Sequence, residues 1–163
     1  MIYFLILAIL HVYGKLDNVS NLFTVGYQGN KVSDLIEKLK KLKIKAVIDV
    51  RENPVSRKPG FSKLELNNEL EKEGIHYLHY QELGTPRPLR DYLIDNQNYD
   101  SFFSKYKNYL SEYEDSLDDL VELGTKEKIC LLCFEKDVMH CHRKAITDYL
   151  TEKHQKNITI THL

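Results

Sequence analysis

The chain has 163 residues, enough for one domain with its own core and no disulfide staples. Hydrophobic residues make up 42% and charged residues 29%, with seven Gly and four Pro, which excludes collagen-like, low-complexity and disordered chains. The net charge of −1, from 23 basic and 24 acidic residues, excludes a uniformly basic coat for nucleic acid but not a local basic patch. Cys130, Cys133 and Cys141 fall within twelve residues. An odd, clustered set of this kind does not read as a secreted disulfide framework, so a cytoplasmic, reducing location is expected.

The first ten residues, MIYFLILAIL, are almost wholly apolar. A spanning helix needs roughly 20 such residues, and no basic n-region or small-residue cleavage site marks a signal peptide. Residues 1–21 are therefore expected to be an apolar extension outside the core, without stable transmembrane insertion, and 22–163 to be the domain. Leu22–Val25 is a short apolar run ending at Gly26, a strand. Val32, Leu35, Ile36, Leu39 and Leu42 stand at helical spacing. Ala46–Val50 is a second strand, followed by a loop holding Pro54 and Pro59. Ser62 and Glu65 form a capping box for a helix that Gly74 ends, and Ile75–Tyr80 is a third strand. Gly84, Pro86 and Pro88 make 82–90 a stiff loop. A long helix from Tyr99 to Leu120 carries an aromatic stripe, expected to pack in the core. Ile129–Cys133 is the fourth strand, His140–Lys153 a helix and Ile158–Ile160 the last strand.

This alternation predicts a single-domain α/β fold, a three-layer α/β/α arrangement with a mostly parallel central sheet. Ligands of open α/β sheets lie beyond the carboxyl ends of the strands, so chemistry is sought there. The charge distribution points the same way. Residues 22–90 hold 13 basic and 9 acidic side chains, residues 91–123 hold 2 and 9, and residues 124–163 hold 7 and 5. The acidic block falls on the predicted long helix, a solvated face, and the bases gather in loops.

After the first strand, G-Y-Q-G-N is a tight turn that lacks the full pattern of a phosphate loop. After the second come Asp49, Arg51, Arg57, Lys58 and Lys63, a local anion-attracting loop in which Arg can fork onto phosphate oxygens. Asp49 can orient Arg51 or another base, or cap a turn. After the third, Arg87 and Arg90 are candidates for a substrate clamp on the Pro-stiffened loop. After the fourth the signal is densest: Cys133, Glu135, Cys141, His142 and Arg143. The last three are placed in the first turn of the final helix, where free N–H groups favour anions and a thiolate. Three chemistries compete there. A cysteine can act as nucleophile. Glu135 and His142 can serve as acid and base beside an Arg-bound phosphate. Cys133, Cys141 and a His can hold a metal, but the spacing matches no common zinc pattern and a fourth ligand is missing, so no metal is assigned. Cys130, in mid-strand, is expected to be a core residue.

Five motifs stand in order: T-V-G-Y at 24–27, I-D-V-R at 48–51, P-V-S-R-K-P-G-F-S-K at 54–63, E-L-G at 82–84, and L-L-C-F-E-K-D at 131–137 with C-H-R at 141–143. In these the chain resembles the domain of unknown function 488 family over residues 22–155. Val138 stands where that family's pattern has proline, and T-P-R-P after Gly84 replaces a more glycine-rich run. The resemblance implies a compact three-layer α/β domain and groups Asp49, Arg51, Ser56, Arg57, Cys133, Glu135, Cys141, His142 and Arg143 in one site, with no catalytic role attached to any of them; it leaves the cofactor open.

The leading expectation is an enzyme that recognises a phosphate-bearing ligand, a nucleotide or nucleic acid. Arg51, Ser56, Arg57, Arg87 and Arg143 bind it, and Glu135, His142, Cys141, Cys133 and Asp49 carry the chemistry. The alternatives are cysteine-dependent sulfur transfer or redox chemistry, and a non-catalytic module that binds nucleic acid or another partner through the same basic face.

Overall fold

The structure, a computed structural model, describes residues 19–163. The apolar run 1–10 lies outside the described residues. Five strands, β1 (Ser20–Gly26), β2 (Ala46–Asp49), β3 (His76–His79), β4 (Ile129–Cys133) and β5 (Ile158–His162), form one sheet in the order β3-β2-β4-β1-β5. Every pairing is parallel. The helices are α1 (Val32–Lys41), α2 (Lys63–Lys72), α3 (Arg87–Asn96), α4 (Tyr99–Leu110), α5 (Glu114–Lys126) and α6 (Arg143–His154). Among the described residues, no helix is long and apolar enough to cross a membrane.

Strand alternation divides the core in two. Ala46, Ile48, Ile129, Leu131 and Cys133 face α4–α6, packing on Phe102, Tyr106, Leu117 and Ile146. Val25, Val47, Cys130 and Leu132 face α1 and α2, packing on Leu35, Leu39, Leu66 and Leu70. This is the expected three-layer α/β arrangement. β4 sits mid-sheet and is buried along its whole length, which is why it reads as an unbroken apolar run. It lies between β1 and β2, where the chain's winding reverses, and the crevice beyond such a strand is where parallel sheets receive ligands.

Several elements differ from the sequence expectation. β1 starts at Ser20, whose backbone pairs with Ile158, so the sheet takes in two residues assigned to the extension. The 82–90 loop is instead a 3₁₀ turn (Gln81–Leu83) followed by α3, with Pro88 in its first turn. Proline is tolerated there because the first-turn N–H groups have no partner inside the helix. The long aromatic helix is two helices, α4 and α5, broken by a 3₁₀ turn at Ser111–Tyr113 where the Tyr113 backbone leaves the helical region at φ −123°, ψ 37°. The acidic block is therefore spread over α3, α4 and α5. The Ser62–Glu65 box is also altered: the Ser62 hydroxyl donates to Glu65 Oε2 at 2.7 Å, and the Gly60 N–H bonds the same oxygen. Gly74 ends α2 as expected, with φ +68° in the left-handed region.

Candidate active site

Asp49 ends β2 and forms a buried pair with Arg51, two residues on in the following loop. Arg51 Nε donates to Asp49 Oδ1 at 2.8 Å, and Nη2 bonds Asp49 Oδ2. Nη1 donates to the Tyr27 hydroxyl and to the Phe61 carbonyl, each at 2.9 Å. The Tyr77 hydroxyl, brought alongside by β2–β3 pairing, donates to Asp49 Oδ2 at 2.7 Å. Burial works against the Arg51 charge, but the hydrogen bonds and charge of Asp49 outweigh it and hold the guanidinium above its ordinary pKa. Burial, with the Asp49 carboxylate, also pushes the Tyr77 phenol up. Tyr27 stacks on Phe61 at 4.2 Å between centroids, closing the loop over this network.

One strand away, a second cluster hangs from the end of β4. Cys133 is the last residue of the strand, and Cys141 and His142 return to it after a 3₁₀ turn at Val138–His140. Glu135 Oε2 lies 2.9 Å from Cys133 Sγ and 3.2 Å from Cys141 Sγ. His142 Nδ1 lies 3.7 Å from Cys133 Sγ and 3.8 Å from Cys141 Sγ. Its other nitrogen, Nε2, donates to the Val50 carbonyl at 2.8 Å. Because a carbonyl only accepts, this bond places a proton on Nε2 and turns Nδ1 toward the sulfurs. The Tyr106 ring packs edge-on to His142 at 5.6 Å.

Arg143 braces the cluster from below. Its Nε donates to Cys141 Sγ at 3.2 Å, its Nη1 to Thr24 Oγ1 at 3.3 Å and its Nη2 to the Glu135 carbonyl. Gly26 makes the loop's approach possible. A Cβ there would stand 1.7 Å from the Glu135 carbonyl oxygen, so any side chain would lift the loop off β1. The Tyr27 and Gln28 N–H groups bond the Cys133 and Phe134 carbonyls at 3.1 and 2.8 Å, locking the two strand-end loops together.

The two thiols titrate in opposite directions. Cys133 is raised by its hydrogen bond to Cys141, by burial and by Glu135. Burial also opposes the Cys141 thiolate, but the Cys133 thiol, His142 and Arg143 outweigh it and hold Cys141 well below the ordinary thiol range. Glu135 is raised by burial and by Cys141. His142 is disfavoured as a cation by burial, yet is raised on balance by Cys141 and Glu135. Cys130 belongs to the opposite core, where burial pushes its thiol up to about 12.

Cys133, Glu135, Cys141 and His142 line the floor of a cleft of about 420 Å³. Its walls include Ser56, Arg57 and Lys58 of the loop after β2, Arg90 of α3, and Phe134. Among the described residues Arg57 has no ion-pair partner and the Lys58 ammonium hydrogen-bonds only the Tyr27 carbonyl, at 3.4 Å, beside the Phe61 ring, whereas Arg90 pairs with Glu52 at 2.6 Å.

Four of the assigned residues do not stand free in the cleft. Asp49, expected among the catalytic groups, lies beneath the cleft as the partner of Arg51 and Tyr77. Arg51 reaches the cleft wall, but its bonds to Asp49, Tyr27 and Phe61 leave at most one N–H for a ligand. Arg143 is 1% exposed and bonds Cys141, Thr24 and the Glu135 carbonyl, away from the cleft lining. Arg87 projects into solvent beside Asp91, away from the cleft, because it begins α3; Arg90, one turn on, is the residue that lines it. Cys141 and His142 also precede α6 rather than lying in its first turn. Ser56 and Arg57 do stand at the cleft, Ser56 with its Oγ accepting the Lys58 N–H at 3.1 Å. Tyr27, Phe61, Tyr77 and Thr24 escaped the sequence reading as site-building residues, although Tyr27 stands at a strand end, the position that singles out the others.

The fold and the cleft define a parallel α/β protein with a Cys–Glu–Cys–His cluster at the carboxyl end of its central strand. The family model described as domain of unknown function DUF488 matches residues 31–150, and the chain belongs to that family. Comparison with curated proteins and with solved structures gives no match.

Proposed function

We propose that the protein is an enzyme acting on a phosphate-bearing substrate of nucleotide size. The observation that carries this reading is the shared cleft: Arg57 and Lys58, the cations freest to meet an anion, line the same space as Cys133, Glu135, Cys141 and His142. Its volume of about 420 Å³ falls in the range of small-molecule sites. The anion-binding loop is 52–58 with Arg90, and the reacting groups are those of the floor.

Calorimetric titration with a nucleoside monophosphate and with a short single-stranded oligonucleotide tests it. Binding of the oligonucleotide is expected to weaken steeply between about 50 and 200 mM salt, and binding of either ligand to fall about tenfold or more in the double variant Arg57→Ala/Lys58→Ala, at about 1.4 kcal/mol per tenfold. Oligonucleotide affinity indifferent to salt, or affinity unchanged in the double variant, contradicts it. In Glu135→Gln, an enzyme loses turnover and keeps binding, whereas a pure binding module has no turnover to lose.

A further inference from the structure

We propose that Cys133, Glu135, Cys141 and His142 form a site for one borderline-soft divalent cation of the zinc class. Four donor atoms, one from each residue, lie within 4.8 Å of one another. All come from a ten-residue segment folded back on itself by the 3₁₀ turn at Val138–His140. The fourth ligand that spacing alone does not reveal is Glu135, which reaches between the two sulfurs.

The geometry is that of a coordination shell. A tetrahedron with metal–sulfur bonds of about 2.3 Å and metal–nitrogen and metal–oxygen bonds of about 2.0–2.2 Å has edges of about 3.4–3.8 Å. The sulfur–nitrogen separations of 3.7 and 3.8 Å sit at that value. The carboxylate oxygen, at 2.9 and 3.2 Å from the sulfurs, needs only a small outward shift. The hydrogen bond from His142 Nε2 to the Val50 carbonyl is the outer contact that metal-bound imidazoles carry, fixing the ring with the Nδ1 lone pair inward. The Arg143 N–H on Cys141 Sγ plays the same part for a thiolate.

The donor set selects the ion. Two sulfurs and an imidazole suit zinc, cobalt or ferrous iron and reject magnesium and calcium, which prefer oxygen. Cys133, Cys141 and His142 are buried, while Glu135 is half-buried. That division matches catalytic sites with three fixed protein ligands and a fourth position open to water or substrate. Glu135 is then the displaceable ligand, a role that rests on the enzyme reading above; the cation site itself does not.

The test uses the reduced, chelator-stripped full chain, titrated with Co²⁺ and then with Zn²⁺ in the absence of any phosphate-bearing ligand. One equivalent of Co²⁺ is expected to bring tetrahedral visible bands and thiolate-to-cobalt charge-transfer absorption, displaced by one equivalent of Zn²⁺. Cys133→Ser and Cys141→Ser should each lower the charge-transfer intensity by about half. His142→Ala should weaken binding by more than the roughly 10–100-fold typical of losing an outer-shell partner. Glu135→Gln should keep the thiolate bands. No charge-transfer absorption in the wild-type chain, or an undiminished band in Cys133→Ser with native far-ultraviolet circular dichroism, overturns the proposal. Its failure leaves anion binding in the cleft standing, and failure of anion binding leaves the metal count unchanged.

Discussion

Two buried clusters of ionisable groups lie at the same end of the sheet, and they are balanced in opposite ways. Around Asp49 and Arg51 every strong acceptor has a donor: the carboxylate takes the guanidinium and the Tyr77 hydroxyl, and the guanidinium also serves Tyr27 and Phe61. Around Cys133 and Cys141 the acceptors outnumber the donors, with two sulfurs, a carboxylate oxygen and an imidazole nitrogen crowded together. A saturated polar network is architecture, because nothing further can bind it without breaking a bond. A cluster of lone-pair atoms with few N–H and O–H partners, beside a cleft, is where a ligand belongs. The two clusters are linked through the chain, since Arg51 and His142 are tied to the same strand end: His142 bonds the Val50 carbonyl and His79 Nε2 bonds the Arg51 carbonyl at 2.9 Å.

If the first cluster is structural and the second functional, substitutions should separate stability from binding. The largest loss is expected from Asp49→Asn, which leaves the Arg51 charge buried without its counter-ion; urea denaturation should show about 3–5 kcal/mol of destabilisation. A cost below about 1 kcal/mol would mean that the pair is not the closed unit described. Gly26→Ala comes next, at about 1–3 kcal/mol, because its methyl group drives into the Glu135 carbonyl and backbone must move. It should also disable the cluster, giving a weak or absent cobalt charge-transfer band in a chain that still folds. Tyr77→Phe removes one hydrogen bond to Asp49 and should cost about 1 kcal/mol, but with cobalt binding intact. At the small end, Glu135→Gln should leave the metal-free chain as stable as before or slightly more so, since it removes a charge held near two sulfurs and half out of water. Thermal unfolding that drops sharply in Glu135→Gln would assign the second cluster a structural role too.

The fold was legible where a single physical pattern governs a segment. β4 is an apolar run because it is covered on both faces, and α1 shows its Leu35–Leu39 stripe because one face alone is buried. The breaks were less legible. Pro88 reads as loop until the permissive first turn of a helix is considered, and the aromatic stripe continues through Ser111–Tyr113 although the backbone does not. The site residues divide the same way. Cys133, Glu135, Cys141 and His142 stand out by their density after a strand, and they do converge. The Asp49 contact of Arg51 was open to view at the strand end, but the saturation of the guanidinium was hidden because it also depends on Tyr27 and Phe61, which only loop packing brings to it. Arg143 turned inward at the start of α6, which begins three positions later than helical pattern suggests. Spacing along the chain likewise conceals that Glu135 reaches both sulfurs.

The joining of the basic loop and the cysteine cluster into one site is tested most directly by alkylation of Cys141 in the metal-free chain. The modification rate is followed by peptide mass spectrometry with and without saturating nucleoside monophosphate. Nucleotide should protect Cys141 in the wild-type protein and fail to protect it in Arg57→Ala/Lys58→Ala. A rate that nucleotide leaves unchanged, or protection that persists undiminished in the double variant, would show that the cations and the cysteines do not serve one ligand.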